Sequence, residues 1–260
     1  MNPGIASHPE RAPQHGAPAG GYLQRRGQIE AYFDRTAAEA WAKLTSDAPV
    51  SRVRATVRAG RERMRARLLG WLPAELHGAR ILDAGCGTGA MAHALAARGA
   101  DVLAIDLAPT LVALARERVP QEGLAGRIDF RAGDMLDAGL GQFDFVVAMD
   151  SLIHYREADV LRALGAWAAR CRQGMLFTYA PGSPLLHAAM ALGRLFPRGD
   201  RSPRLEPIAP QRLARALQAE PRLADWRLAQ TERVQSGFYT SEAARLLRAD
   251  AQPAAGASRP

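Results

Sequence analysis

Two periods of apolar positions divide the chain. From about Gln24 to Leu72 apolar residues return every three to four positions, the period of a helix face. Ile29, Tyr32, Phe33, Ala37 and Trp41 share one stripe; beyond Pro49 a second runs through Val53, Val57, Gly60, Met64 and Leu68. From Arg80 the period changes. Short apolar runs at Arg80–Ala84, Asp101–Ile105, Arg127–Arg131, Phe143–Met149 and Gly174–Thr178 predict strands. Helical segments separate them at Met91–Arg98, about Pro109–Val119 and about Ala158–Cys171. Phe143–Met149 is almost wholly apolar, as suits a parallel strand covered on both faces. This alternation predicts an α/β fold, a doubly wound and mostly parallel sheet with helices on both sides.

After Tyr179 the rhythm breaks. Ser183–Phe196 is apolar with helical spacing, Pro197–Arg204 is arginine-rich, Gln211–Gln218 reads as a helix and Trp226–Val234 as a later strand. An apolar segment between late strands falls near the carboxyl edge of the sheet, where such folds bind ligands. The expected organisation is a disordered Gly/Pro/Ala/His-rich tail (1–21) and a helical arm or cap (22–75), then the main domain (76–250) and a second disordered tail (251–260). Within the main domain, 179–209 is the expected insertion capping the substrate.

Composition narrows the setting. A chain of 260 residues buries a full core without staples. Cys86 and Cys171 are too few for a disulfide framework, so a reducing compartment is expected. No signal-peptide core appears, nor an apolar run of the ~20 residues that span a bilayer. The expectation is a cytoplasmic protein, soluble or peripheral. The net charge of +8 suggests a polyanion partner, but Lys43 is the only lysine, and arginine and alanine are both abundant. Coding bias accounts for that pattern, and no nucleic-acid partner is expected. Arg54, Arg58, Arg61 and Arg65 share one side of the second helical stripe. They read as a solvated helix face, or as a basic cap over a bound anion or a membrane surface.

The chemistry begins at Asp83-Ala-Gly-Cys-Gly-Thr-Gly89, directly after the first strand. Gly85, Gly87 and Gly89 permit a tight turn and close approach of a ligand to the backbone. The spacing is GxGxG, not the GxGxxG of pyrophosphate sites, and no Lys-Ser/Thr follows, which excludes a P-loop. An aspartate before the turn suits the ammonium group of an amino-acid tail. Asp106 ends the second strand, about twenty residues on, the spacing of an acid that accepts from ribose hydroxyls. Asp134, in Gly133-Asp-Met135, follows the third strand; its carboxylate can accept from an adenine amino group while Met135 packs on the ring. Each alone is an ordinary strand-end aspartate. Together they predict S-adenosylmethionine as co-substrate, held by Asp83, Gly85, Cys86, Gly87, Gly89, Asp106, Leu107, Asp134, Met135 and Met149. Over Arg80–Tyr179 these motifs resemble the class I methyltransferases, which implies a Rossmann-like sheet.

After the fourth strand comes Met149-Asp-Ser-Leu-Ile-His-Tyr155, without the Asn/Asp-Pro-Pro-Tyr/Phe motif frequent in amide and base N-methylases. His154 falls near the methyl donor, where it orients or deprotonates an acceptor, or is simply a satisfied histidine at a helix start. A longer resemblance joins this segment to Ala31–Thr36 with Trp41, Asp83–Gly89, Tyr179–Leu186 and Ser236–Thr240. From Gln28 to about Arg248 the chain is similar to the magnesium-protoporphyrin IX O-methyltransferase family of chlorophyll and bacteriochlorophyll synthesis. The resemblance implies methylation of one propionate of the magnesium porphyrin, with Tyr32 and His154 in catalytic roles. Tyr32, an aromatic at helical spacing, equally fits plain packing. Magnesium enters only with the substrate, and no protein metal site is expected. The resemblance also implies contact with the large porphyrin-binding subunit of magnesium chelatase and a loose association with the photosynthetic membrane. The alternatives are a methyltransferase for a quinone or another lipophilic small molecule, a porphyrin carrier without catalysis and, last for want of a recognisable RNA-binding appendage, an RNA methyltransferase using the arginine helix.

Overall fold

In the computed structural model, which describes residues 20–34, 52–120, 122–182 and 205–249, seven strands form one sheet. They are β1 (Arg80–Ala84), β2 (Asp101–Asp106), β3 (Arg127–Ala132), β4 (Phe143–Ala148), β5 (Cys171–Tyr179), β6 (Trp226–Ser236) and β7 (Tyr239–Arg248). Their order is β3-β2-β1-β4-β5-β7-β6, with β1 to β5 parallel and β7 antiparallel to both neighbours. The chain winds outward from β1 to β3, then returns to lay β4 on the other side of β1. That reversal opens a crevice at the carboxyl ends of β1 and β4. The described helices are α1 (Gly20–Tyr32), α2 (Arg52–Gly70), α3 (Ala90–Ala97), α4 (Pro109–Arg118), α5 (Glu157–Ala168) and α6 (Pro210–Ala219).

Alternation along the strands divides the core between two faces. Ile81, Val102 and Val147 join Met64 and Leu68 of α2 and Met91 and Leu95 of α3. Their neighbours Leu82, Leu103 and Val146 join Val160, Leu164 and Trp167 of α5 and Leu213 of α6. Burying one such aliphatic or aromatic side chain contributes ~1.5–3 kcal/mol. Both faces are therefore needed, and both must be covered by helices.

Sequence and structure part company at β7. From Ser241 its residues are Ser-Glu-Ala-Ala-Arg-Leu-Leu-Arg, a helix-favouring composition without a β-branched side chain, and no strand is predicted there. The segment is nevertheless hydrogen-bonded on both sides, to β5 and to β6. Ala243 and Ala244 are fully buried, and Arg233 pairs with Glu242 directly across the ladder at 2.8 Å. Pairing on both edges outweighs local propensity.

Other differences are at ends. β5 begins at Cys171, which takes that residue from the predicted helix, and α5 stops at Ala168. α1 begins at Gly20, so Gly20 and Gly21 are helical and not part of a disordered tail. The remaining tail residues, Ala37 and Trp41, Ser183–Phe196 and Pro197–Arg204 lie outside the described residues.

The two N-terminal helices cap the sheet edge. Tyr22 of α1 is 2% exposed and stacks on Tyr155 at 5.7 Å between ring centroids. Asp34, just past α1, accepts from the backbone N–H of Thr110 at 3.2 Å and from its hydroxyl at 2.5 Å. It thus caps α4, whose own N-cap residue Ala108 has no side-chain oxygen to offer. α2 presses on β7 so closely that a Cβ at Gly60 would lie 2.5 Å from the Tyr239 ring.

Candidate active site

The turn after β1 has left-handed φ values of 82° at Gly85, 54° at Gly87 and 82° at Gly89. At Gly85 conformation and packing agree, because a Cβ there would meet the Ser151 Cβ at 2.3 Å. The loop after β4 therefore presses directly on the glycine turn. Asp106 splints the same turn. Its carboxylate accepts from Gly87 N at 2.9 Å and Ala108 N at 3.0 Å, leaving lone pairs toward the crevice.

Asp83 is 1% exposed, and its Oδ2 has no hydrogen-bond partner. Burial, then the nearby Asp106 charge, push its carboxyl up to about 7, against the backbone N–H of Ala92. An orphaned buried carboxylate is costly unless a ligand cation meets it. Burial also raises Asp106, and it raises Cys86 well above the ordinary thiol range, so Cys86 is an inert wall residue.

One cavity unites these groups. Of the sequence-predicted residues, Asp83, Gly85, Cys86, Gly87, Asp106, Leu107, Met135, Met149 and His154 line it. Gly89, Asp134 and Tyr32 are not on its wall. Gly89 serves packing: it precedes α3, and a Cβ there would lie 2.9 Å from Phe130. Asp134 faces the arm. Its Oδ1 accepts from the Tyr22 hydroxyl at 2.8 Å and from Leu136 N at 2.9 Å, and its Oδ2 accepts from Arg26 at 3.1 Å. From the arm Ile29 and Phe33 reach the cavity, while Tyr32 packs edge-on behind Phe33 at 5.2 Å.

The acceptor side holds residues the sequence reading did not assign. Asp150 is a non-glycine residue with φ 55°, a conformation aspartate tolerates better than most. Its carboxylate accepts from Arg61 at 2.8 Å, Tyr239 at 3.0 Å and Thr178 at 3.3 Å. Next to it, the buried hydroxyl of Ser151 has no hydrogen-bond partner. His154, 6% exposed, meets Phe33 edge-on at 5.8 Å. Arg58, Arg61 and Arg65 all line the cavity, so the arginine stripe of α2 is a cap over it and not merely a solvated face. Their spacing was legible, but not the side of the helix the sheet would claim. Asp150 and Ser151 carried no signal beyond their position after a strand.

The donor set fits an aminoacyl nucleoside: an unpartnered buried carboxylate for an ammonium, a glycine cradle, and a carboxylate placed for ribose. Among the described residues no cluster of His, Cys, Asp and Glu could hold a metal ion.

The comparisons agree with this geometry. A family model for the magnesium-protoporphyrin IX methyltransferase C-terminus matches residues 148–248, and a general methyltransferase-domain model matches 81–174. The chain is 49% identical over 222 residues to the magnesium-protoporphyrin O-methyltransferase of Rhodobacter capsulatus, covering 85% of this chain and 96% of that one. It is 29% identical to the Synechocystis enzyme of the same name, over 68% of this chain and 77% of that one. The crystal structure of the Synechocystis magnesium protoporphyrin IX methyltransferase with bound S-adenosylhomocysteine superposes with a TM-score of 0.75 at 25% identity, over 86% of this chain and 99% of that one. With its glycine turn, paired donor acids and late antiparallel strands, this chain belongs to the magnesium-protoporphyrin IX O-methyltransferase family of S-adenosylmethionine-dependent enzymes.

Proposed function

We propose that the protein transfers a methyl group from S-adenosylmethionine to one propionate carboxylate of magnesium protoporphyrin IX, forming the monomethyl ester of chlorophyll and bacteriochlorophyll synthesis. One observation carries the reading: the donor wall of Asp83, the glycine turn and Asp106 is continuous with an acceptor wall of Ser151, His154 and basic side chains. The likeness to the Rhodobacter enzyme over most of both chains supports the choice of substrate.

Bound S-adenosylmethionine supplies an electrophilic methyl on sulfur. A propionate ionises like a glutamate, near ~4.3, and is already a nucleophile at neutral pH. No general base is required. The protein's tasks are alignment and removal of water from the attacking oxygen. His154, held by Phe33, positions the acceptor, and Tyr32 acts behind Phe33. Asp83, Gly85, Gly87, Asp106, Leu107, Met135 and Met149 hold the donor, with Asp134 supporting through its bonds to the arm and Gly89 at the start of α3. An arginine clamped on the reacting carboxylate would weaken its attack, so the arginines serve other anions, including the second propionate. Magnesium arrives within the substrate. Handover involving the large subunit of magnesium chelatase and a peripheral membrane contact belong to the same proposal. Phe238, 78% exposed at the β6–β7 turn, is where a membrane contact would begin. No described helix is long and apolar enough to cross a membrane.

Incubation of purified protein with labelled S-adenosylmethionine and magnesium protoporphyrin is expected to yield an alkali-labile methyl ester. No ester, with transfer to a quinol instead, would refute the proposal. His154→Phe and Tyr32→Phe are expected to lower turnover by about ten- to a hundredfold and about tenfold, with S-adenosylhomocysteine affinity held within about twofold. A parallel loss of affinity would instead assign both residues to the fold.

A further inference from the structure

Ser151 follows β4 and stands at the N-cap of the short 3₁₀ turn Leu152–His154. From an extended backbone, a serine in that position ordinarily accepts from an N–H of the first turn. Here the backbone is right-handed helical, with φ −97° and ψ −44°, and the hydroxyl makes no cap hydrogen bond. Nor does it bond elsewhere: the oxygen is buried and has no partner. A buried hydroxyl in that state destabilises the fold, so the fold does not account for it.

Its position does. In the order β2-β1-β4-β5, Asp106 and Asp83 lie at the ends of β2 and β1, whereas Ser151 comes after β4, on the side of β1 away from Asp106. Its Cβ presses on Gly85, so it borders the donor wall from the acceptor side. His154 stands three positions on, and with three residues per turn such positions share one side of the turn. Both residues line the cavity. The backbone here is pinned. The N–H of Asp150 donates to Thr178 Oγ1 at 2.7 Å, its carboxylate holds Arg61 and Tyr239, and Leu152 is fully buried. Only rotation about χ1 is left to the Ser151 hydroxyl.

We propose that Ser151 is a catalytic residue on the acceptor side: its hydroxyl donates to the non-attacking oxygen of the reacting propionate and so turns the other oxygen toward the methyl group. This rests on the porphyrin reading above. The attacking oxygen bonds to the methyl carbon as the carbon–sulfur bond breaks, its electron pair passing to sulfur. The sulfonium becomes a neutral thioether, the carboxylate becomes an ester, and Ser151 keeps its proton throughout. A carboxylate with two equivalent oxygens on a rotatable chain needs such a contact to fix its orientation. A neutral hydroxyl supplies it while drawing less charge from the nucleophile than a guanidinium, whose hydrogen bonds are roughly twice as strong.

Ser151→Ala in the full-length protein separates this role from one in the fold, because the two predict different changes in stability. Loss of an unpartnered buried hydroxyl should leave the urea midpoint unchanged or raised. Turnover with magnesium protoporphyrin should fall about tenfold, the effect of one lost hydrogen bond to a charged group. Binding of magnesium protoporphyrin to the S-adenosylhomocysteine-loaded protein, read from porphyrin fluorescence, should weaken about three- to tenfold. The dimethyl ester, which has no carboxylate, should bind within about twofold of the unmodified protein, as should S-adenosylhomocysteine. Ser151→Cys, close in size with a weaker donor, should fall between. A lowered urea midpoint, or equal losses for the diacid and the diester, would make Ser151 a packing residue and overturn the proposal. Weakened S-adenosylhomocysteine binding with porphyrin affinity unchanged would also overturn it and move the hydroxyl to the donor. Full porphyrin turnover in Ser151→Ala would overturn this role alone. If the unmodified protein methylates a quinol and not magnesium protoporphyrin, the porphyrin reading falls and this role falls with it.

Discussion

Asp83 and Asp106, at the ends of β1 and β2, keep acceptor capacity facing a cavity, whereas Asp134 and Asp150, just beyond β3 and β4, commit theirs to the helical cap. Asp83 has one oxygen with no partner, and Asp106 bonds only to backbone N–H groups of its own turns. Asp134 instead carries Tyr22 and Arg26 of α1, and Asp150 carries Arg61 of α2. The same residue type after four neighbouring strands thus does two jobs. The inner pair, on β2 and β1, waits for a donor; the outer pair, beyond β3 and β4, latches the two helices that wall the acceptor. An adenine amino group reaching Asp134 would have to share it with the arm, which couples arm docking to donor binding.

The contrast can be broken by substitution. Asp106→Ala is expected to show the largest effect, weakening S-adenosylhomocysteine binding about a hundredfold through loss of charge-assisted hydrogen bonds to the ligand and the splint on Gly87. Calorimetry checks it, and an equal loss in Asp134→Ala would erase the distinction between the inner and the outer pair. Asp150→Ala should leave binding nearly intact but lower folding stability in urea by roughly 2–3 kcal/mol, since Arg61 loses its buried partner. Asp150→Asn should cost less, because asparagine also tolerates a left-handed φ.

The pH dependence sharpens the comparison at an intermediate scale. Asp83 in the unliganded fold titrates at about 7, and only its charged form attracts an ammonium. Affinity for S-adenosylhomocysteine should therefore be flat above that value and drop about tenfold between pH 8 and pH 6. Proton release on binding, read from calorimetry in buffers of different ionisation enthalpy, should accompany it. Asp106 faces Asp83 and is also raised by burial, so the control is Asp83→Asn, expected to bind weakly without the step near neutrality. A step that survives in this variant would transfer the titration to Asp106. The smallest effect is expected for Tyr22→Phe, which removes one donor from Asp134 but keeps the stack on Tyr155. It should cost about 1 kcal/mol, visible as faster hydrogen exchange in α1.

Much of the donor half was legible in the sequence. The short apolar runs, the GxGxG turn and acids closing successive strands define β1 to β3 and their chemistry because those signals are local. The acceptor half was less so. Tyr32 stood out as an arm aromatic, yet Phe33 touches His154, because one residue of helix rotation decides which ring points inward. The arginine stripe had visible spacing and an undecided direction. β7 was invisible, since alanine, leucine and arginine favour a helix until two partner strands compete for their backbone groups.

By itself the sequence determined the sheet's winding, the donor turn and the identity of the four strand-end aspartates, because periodicity and glycine conformation act within a few residues. Only the tertiary structure decided how those aspartates divide their work. That depends on which charged side chains arrive from α1 and α2, more than a hundred positions away from Asp134 and nearly ninety from Asp150. Within the interior, a carboxylate is defined by what meets it: a guanidinium from the cap closes Asp150, and the absence of any partner on Oδ2 leaves Asp83 for the ligand.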